Sequence, residues 1–181
     1  MTQSSRSRNC LNQQQICREN NERRVLVIVV LMYVCSPPCV AVEAENIQLA
    51  EAIIQAVNDR DLDQLDQLVS PDFTRHSAAA GGIVDNLADM KAFLEADFSA
   101  VPDAVISVDV IFGNHNFVAV RTIYSGTQSG PMGPFPATNR RFESPIVGIL
   151  RIEEGKAAEM WVEWDNANAL IQMGHIVPPT E

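Results

Sequence analysis

The apolar residues of this chain change their spacing at Pro102, and this change constrains the fold more than any other feature. Before Pro102 they recur every three or four positions, which predicts helices over residues 45–58, 61–69 and 86–98. After Pro102 they alternate, which predicts strands over residues 104–112, 117–125, 140–152 and 156–164, with a last helix over 166–173. Helices followed by a meander of strands predict an α+β domain, with the helices on one face of a curved antiparallel sheet.

Glycine and asparagine mark the connections between the predicted strands. Gly113-Asn114 and Glu154-Gly155 are predicted hairpin turns. Residues 126–139 are rich in glycine and proline and are predicted to form a loop. This loop either covers a pocket or only joins two strands.

The first 44 residues differ from the rest of the chain. A polar segment with five arginines precedes an apolar run over residues 25–34, which Ser36-Pro37-Pro38 interrupts before the small residues near Ala41 and Ala44. This layout is typical of a secretory signal peptide, so we expect a secreted or periplasmic protein with a mature domain over residues 45–181. The apolar run is shorter than the roughly 20 residues of a membrane span, but an uncleaved anchor remains the alternative.

Cysteine and charge exclude several classes of function. All the cysteines (Cys10, Cys17, Cys35 and Cys39) lie in the predicted leader, so the mature domain has neither a disulfide nor a thiolate nucleophile. The formal net charge is −10, which opposes binding to nucleic acid. No group of histidines and acids has the spacing of metal ligands, so no metal site is predicted.

Asp165 is the main candidate for a catalytic acid or base. It ends the last predicted strand and follows two indoles, Trp161 and Trp164, which are placed to shield a carboxylate from water. Partial desolvation suits a carboxylate to proton transfer. The alternative is structural: Asp165 also stands at the N-cap of the last predicted helix, where its carboxylate would accept backbone N–H groups.

His76 and Arg121 are further candidates. Histidine titrates near neutral pH, so His76 is either a general base or pocket donor, or a hydrogen-bonded structural residue. Arg121 lies within a predicted strand, where charge is costly unless it is paired. It would bind a substrate oxygen or pair with an acid on the neighbouring strand.

Three sequence motifs resemble those of the SnoaL-like polyketide cyclases. The first is Leu68-Val-Ser-Pro-Asp-Phe-Thr-Arg-His76, and the second is Arg121-Thr-Ile-Tyr-Ser-Gly-Thr-Gln-Ser-Gly-Pro-Met-Gly133 with Pro136-Ala-Thr-Asn139. The third runs from Gly155 through Trp161 and Asp165 to Gly174. Two positions depart from the family pattern, since Gln128 replaces a common histidine and Asn139 replaces a glycine.

The resemblance implies a cone-shaped fold like that of nuclear transport factor two, in which the sheet and the helices enclose a single apolar pocket. It also implies cofactor-free acid/base chemistry at a carbon alpha to a carbonyl, as in aldol ring closure of polyketide esters. Asp165 and His76 would be catalytic residues. Four further residues would bind the substrate, a small hydrophobic molecule: Phe73, Arg121, Gln128 and Trp161.

Other functions are compatible with the same fold. The chain would then be a non-catalytic extracytoplasmic binder of a small hydrophobic ligand, or a dehydratase or epoxide hydrolase. A homodimer formed through the sheet is also expected, because related domains pair and the strands carry more apolar residues than one small core needs. The residues that motivate this expectation are Val118, Val120, Ile146, Gly148 and Leu150.

Overall fold

The structure is a computed structural model that describes residues 38–78 and 84–177. The chain divides into two units, residues 1–41 and 42–181. The helices are α1 (Pro38–Asn58), α2 (Leu65–Leu68), α3 (Leu87–Ala100) and α4 (Asn166–Met173). The strands are β1 (Val69–His76), β2 (Val105–Asn114), β3 (Phe117–Gln128), β4 (Arg140–Glu153) and β5 (Lys156–Trp164).

Polar side chains cap the start of α3 and the turn that precedes α2. The side chain of Asn86 accepts a 2.8 Å hydrogen bond from the backbone N–H of Asp89 at the start of α3. Asp61 accepts one from Gln64 N–H, but residues 62–64 form a turn, so α2 begins only at Leu65 and is shorter than predicted. Helix α4 has the predicted bounds and ends at Gly174, whose φ of 83° is the left-handed C-terminal conformation.

The strands form one five-stranded, unclosed sheet in the order β1-β5-β4-β3-β2. The α+β class is confirmed, but the sheet is not wholly antiparallel as predicted. Strand β1 lies parallel to β5, with Arg75 opposite Met160. The long connection between β1 and β5 permits the parallel pairing, since a parallel neighbour needs a crossover and cannot be reached by a hairpin.

One of the two predicted hairpin turns is confirmed and the other is wrong. Glu154 and Gly155 form the β4–β5 hairpin turn, with φ values of 51° and 74°, as expected. The prediction of a turn at Gly113-Asn114 is wrong, because both residues belong to β2 and the chain reverses at His115, whose φ is 54°. Asn139 has a φ of 57°, so asparagine adopts the left-handed conformation that favours the glycine of the family pattern.

The inner face of the sheet carries two apolar clusters. The first, called the lower cluster, joins α1, α3 and the middle of the sheet. It includes Val57, Phe73, Leu94, Val118, Val120 and Leu150. The upper cluster joins the end of α3, the start of β4 and α4, and includes Ala100, Val101, Phe142, Leu170 and Met173. The core therefore lies between the helices and one face of the sheet, as the sequence predicts.

The outer face of the sheet carries exposed apolar side chains as well as ion pairs. The apolar ones include Phe112, Phe117, Val147, Ile149 and Trp161. The residues that motivated the homodimer prediction lie elsewhere: Val118, Val120 and Leu150 are buried on the inner face, and Gly148 has its backbone against Met160 and Val120. The exposed apolar side chains through which a second copy could pack therefore lie on the opposite face of the same strands.

The predicted leader lies largely outside the described residues, which begin at Pro38. The two predicted cleavage positions, Ala41 and Ala44, fall within α1, which starts earlier than the predicted helix. Within the part of the chain that the structure describes, no helix is long and apolar enough to cross a membrane.

Candidate active site

Polar side chains separate the two apolar clusters on the inner face. Along β3, the buried Thr122 follows Val118 and Val120, and along β4, the buried Ser144 follows Phe142. On α3, Asp97 stands between Leu94 of the lower cluster and Ala100 of the upper one. Together with Tyr124 and Arg75, these residues are called the interior polar layer below. Burying polar groups costs free energy unless they are paired, so a layer of this kind indicates a site.

Asp97 and Tyr124 form the centre of the interior polar layer. The Tyr124 hydroxyl donates a 2.8 Å hydrogen bond to Oδ2 of Asp97. Burial raises the pKa of the Asp97 carboxyl, and the Tyr124 hydrogen bond and the charges of Arg60 and Arg75 only partly oppose this. Burial, and then the charge of Asp97, also raise the pKa of the Tyr124 hydroxyl far above its ordinary value. Tyr124 is therefore a neutral donor beside a carboxyl that resists ionisation.

Arg75 projects into the interior because it has the same strand parity as Phe73. The residue is only 7% exposed, and its guanidinium carbon lies 4.7 Å from the ring centre of Phe93 and 5.8 Å from that of Trp164. Its backbone N–H donates a 2.8 Å hydrogen bond to the Val84 carbonyl, which fixes the strand at this point. Burial lowers the pKa of Arg75, and the charge of Asp97 opposes that effect. An arginine nevertheless stays protonated in a protein.

The interior polar layer has the parts for proton transfer next to a carbonyl. A carboxylate whose pKa is raised accepts a proton more readily than an ordinary one, which suits a general base. A neutral tyrosine hydroxyl and a fixed guanidinium stabilise negative charge as it develops on an enolate oxygen. These three groups lie on the inner side of the sheet, where Arg75 is buried and Asp97 and Tyr124 are half-buried. The guanidinium of Arg75 contacts the rings of Phe93 and Trp164.

Asp165 caps the last helix, α4. Its Oδ1 accepts a 2.9 Å hydrogen bond from the backbone N–H of Asn168, as the structural alternative requires. The residue is exposed. It is adjacent in sequence to Trp164, whose ring faces Arg75. The structure thus shows the capping role directly, and the catalytic role of Asp165 stays a prediction.

Gln128 and Phe73 are buried, but in different places. Gln128 is fully buried below the loop that follows β3, where it donates to the Pro136 carbonyl and accepts from Thr138 at 3.0 Å. His175 lies 2.8 Å from the same Gln128 oxygen. Phe73 belongs to the lower apolar cluster. Gln128 therefore organises the loop, and Phe73 supports the strand that carries Arg75.

His76 and Trp161 are brought together on the outer side of the sheet. Their rings stack with centroids 5.3 Å apart, and His76 Nε2 lies 2.8 Å from Glu159 Oε1. Arg151 donates to the other oxygen of Glu159 at 2.8 Å. The hydrogen bonds from Arg151 and then from His76 hold the pKa of the Glu159 carboxyl below its ordinary value. His76 therefore belongs to an exposed network with Glu159 and Arg151, and Trp161 stacks against its ring.

A half-open cleft of about 520 Å³ lies beside this network, at the end of β1. Its walls are Thr74, Arg75, His76, Ser77, Ala78, Asp85, Trp161 and Glu163. The inner face, where the resemblance places a deep apolar pocket, holds the interior polar layer between its two clusters.

Arg121 lies on the outer face and forms an ion pair with Asp109 of β2. This is the cross-strand partner that the sequence offered as one alternative. Strands β5 and β4 stand between β1 and β3, so His76 and Arg121 are about three strand spacings, roughly 14 Å, apart. The structure does not gather Asp165, His76 and Arg121 into one pocket.

The comparisons with known proteins agree with this architecture. The sequence model of the SnoaL-like polyketide cyclases matches residues 47–173. The chain belongs to the SnoaL-like polyketide cyclase family. Among curated protein sequences, none matches the chain significantly.

Solved structures of SnoaL-like proteins resemble this one over nearly their whole length. TsrD from Streptomyces laurentii is 28% identical, with a TM-score of 0.67 over 74% of this chain and 97% of that chain. AclR from Streptomyces galilaeus, a proposed hydroxylase, is 27% identical, with a TM-score of 0.66 over 75% and 99%. IdmH from Streptomyces antibioticus, a proposed polyketide cyclase, is 26% identical, with a TM-score of 0.63 over 71% and 98%.

Sequence reasoning missed the polar residues of the interior, although the signals were present. Arg75 is two residues after the apolar Phe73 and so shares its face of the strand. Asp97 follows Phe93 by four residues and Leu94 by three, which places it on the apolar face of the predicted helix. Charged residues at core positions are candidates for function. Among the described residues, no group of three histidines, cysteines or acids is arranged to hold a metal ion.

Proposed function

We propose that this SnoaL-like domain catalyses acid/base chemistry at a carbon alpha to a carbonyl, as in aldol ring closure of a polyketide-like ester. The observation that carries the proposal is the half-buried Asp97–Tyr124 pair, in which a carboxyl with a raised pKa touches a neutral hydroxyl. Two findings support it further: the family match and the likeness to IdmH, a proposed polyketide cyclase.

Each group of the interior polar layer has a role in this proposal. The Asp97 carboxylate takes the proton from the alpha carbon, and the same carboxyl returns a proton to the new alkoxide after the carbon–carbon bond forms. Arg75 lies beside the developing enolate and stabilises its charge, which is a larger effect in a buried site than in water. Phe93 and Trp164 hold the flat, conjugated part of the substrate.

Asp165 is the second candidate for the proton carrier in the proposal. It matches the acid of the family motif and follows Trp164 directly, so a substrate seated against Trp164 lies close to it. His76, the other catalytic residue expected from the motif, is paired with Glu159 on the outer side. Asp97 is favoured over both because it is half-buried, whereas Asp165 and His76 are exposed, and because it belongs to the interior polar layer.

The test compares three aspartate variants on a set of beta-keto esters that can cyclise. Asp97→Asn keeps the shape of the side chain and still accepts the Tyr124 hydrogen bond, but it cannot carry a proton. Turnover should fall about 10²- to 10⁴-fold, the usual contribution of a general acid or base. Asp109→Asn, on the outer face, is the matched control and should keep full turnover.

The outcomes separate the candidates. Loss of turnover in Asp165→Asn, with full turnover in Asp97→Asn, assigns the proton transfer to Asp165. If no ester turns over but ligands still bind the protein, the domain is a binder of small molecules and the enzymatic proposal is wrong.

A further inference from the structure

Arg60 follows the last turn of α1 in a backbone conformation that favours glycine. Its φ is 61°, and the helix closes around it through a hydrogen bond from the Asp61 N–H to the Ala56 carbonyl. Helix α4 ends in the same way, but with Gly174 at the equivalent position. A residue with a Cβ is strained in this left-handed conformation, whereas glycine is not. An arginine at such a position points to a role for its side chain.

The Arg60 side chain joins the end of α1 to the end of α3 and to the start of β2. Its Nη1 donates a 3.2 Å hydrogen bond to the Val57 carbonyl, and its Nη2 donates at 3.3 Å to Pro102 and at 2.9 Å to Ala104. Its guanidinium carbon lies 4.0 Å from the ring centre of Phe98. Helix α3 has no basic residue in its own last turn, so Arg60 supplies the positive charge that stabilises a helix C-terminus.

The contacts at the end of α1 lie beside the Asp97–Tyr124 pair. The guanidinium of Arg60 faces the ring of the residue that follows Asp97 on α3. Asn58, two residues before Arg60, forms two 2.8 Å hydrogen bonds with the backbone of Ile106. Ile106 lies opposite Tyr124 in the β2–β3 register. The end of α1 therefore contacts the helix that carries Asp97 and the strand next to the one that carries Tyr124.

We propose that Arg60 is a positioning residue for the Asp97–Tyr124 pair, which holds the end of α3 against the sheet and favours the ionised Asp97 carboxylate by its charge. This inference rests on the proposed function, in which Asp97 takes a proton from the substrate, because a base must be ionised before it can accept a proton. In this role Arg60 acts through Asp97 and not on the substrate itself.

Opposing effects determine the ionisation of Asp97. Burial raises its pKa, and the Tyr124 hydrogen bond and the charges of Arg60 and Arg75 oppose this. Among the described residues, the groups that act on Asp97 are thus Tyr124 from β3, Arg60 from the end of α1 and Arg75 from β1. Arginine stays protonated in proteins, so the effect of Arg60 does not vary with pH. Removal of that charge should raise the pKa of Asp97 further.

Arg60→Gly is the variant that tests this role. Glycine is favoured at this backbone position, so the variant should fold while it removes the guanidinium. NMR of the full chain with carbon-13-labelled aspartate carboxyls follows the titration of Asp97, whose signal is identified by its absence in Asp97→Asn. The midpoint should shift to higher pH in Arg60→Gly. Arg60→Lys keeps the charge without the planar fork and should shift the midpoint less.

Asn58→Ala is the matched control for a purely structural effect. It removes both hydrogen bonds between α1 and Ile106 but no charge, so the Asp97 midpoint should stay at the wild-type value. If Arg60→Gly does not fold, Arg60→Gln is the neutral variant in its place, because its amide still donates a hydrogen bond. With a substrate that is turned over, the acid side of the kcat/KM profile should move to higher pH in Arg60→Gly and stay in place in Asn58→Ala.

An Asp97 midpoint that is the same in the wild type and the neutral variant overturns the proposal. An equal shift in Asn58→Ala, or equal shifts in Arg60→Lys and Arg60→Gly, also overturns it. The proposed function fails separately. A shifted midpoint without turnover of any carbonyl substrate contradicts the enzymatic role alone, whereas turnover that requires Asp97 but has an unchanged pH profile in Arg60→Gly contradicts the role of Arg60 alone.

Discussion

The hydroxyl of Tyr124, on β3, donates a hydrogen bond to the carboxyl of Asp97, on α3. This bond connects the inner face of the sheet to the helix that covers it. It also fixes the orientation of the one carboxyl among the described residues whose pKa burial raises. The pair has consequences that can be measured without knowing the substrate.

The stability of the domain should depend on pH through Asp97. Its folded-state pKa is raised above the ordinary 3.8, so the folded state binds more protons than the unfolded state in this range, and the free energy of unfolding decreases as pH rises through it. Asp97→Asn removes this dependence. Chemical denaturation across the acidic range should show the variant gaining stability relative to the wild type as pH rises. A constant difference between the two proteins would contradict the raised pKa.

Glu159 should give a dependence of the opposite sign. Arg151 and His76 hold its folded-state pKa below the ordinary 4.5, so its stabilising contribution is present above that pH and is lost as pH falls through the folded-state pKa. Glu159→Gln should therefore be less stable than the wild type at neutral pH and approach it on acidification. The network is exposed, so the difference should also shrink in high salt. Equal stability at every pH and salt concentration would show that the network contributes nothing.

The cap at Asp165 predicts a difference between two substitutions. Asp165→Ala loses the hydrogen bond to the Asn168 N–H and should lower the free energy of unfolding by about 0.5–2 kcal/mol. Asp165→Asn should leave stability nearly unchanged, because asparagine caps helices about as well as aspartate. Thermal melts of the two variants decide the matter. Equal destabilisation by both substitutions would mean that the charge, rather than the cap, stabilises α4.

The outer face of the sheet predicts self-association. Ile149 lies between Ala119 and Trp161 across three strands, and Phe117 and Val147 flank this row. A patch of this kind is where a second copy would bind. Ile149→Glu should shift a homodimer to monomers in light scattering at micromolar concentration, while Glu143→Gln, near the sheet end, should not. A wild-type protein that is already monomeric would remove the prediction.

Local sequence patterns predicted most of the fold, because period and turn chemistry are local properties. They did not predict that β1 lies parallel to β5, because the local sequence does not indicate which strands will pair across about 80 residues of chain. The rule that charge within a strand must be paired was applied to Arg121, which is exposed and paired with Asp109. Arg75, two positions after the core residue Phe73, is buried, so it is the arginine whose unpaired charge costs free energy.

The site was harder to predict than the fold for the same reason. Asp165 and His76 were chosen from motifs, and a motif does not tell a capping or surface role from a catalytic one. Asp97 and Tyr124 come from segments about 27 residues apart and acquire their properties only from mutual burial and contact. The helical spacing places Asp97 on the apolar face of α3, but neither segment alone shows that Tyr124 will be its hydrogen-bond partner.

The parallel pairing of β1 with β5 also determines when this protein can finish folding. During synthesis, residues 69–76 leave the ribosome well before residues 156–164, so the edge strand that carries Arg75 waits for the last strand to appear. Such non-local contacts slow folding and leave apolar surface exposed in the meantime. A nascent chain that stops before Trp164 should therefore depend on chaperones, and the complete chain should acquire protease resistance in a single late step.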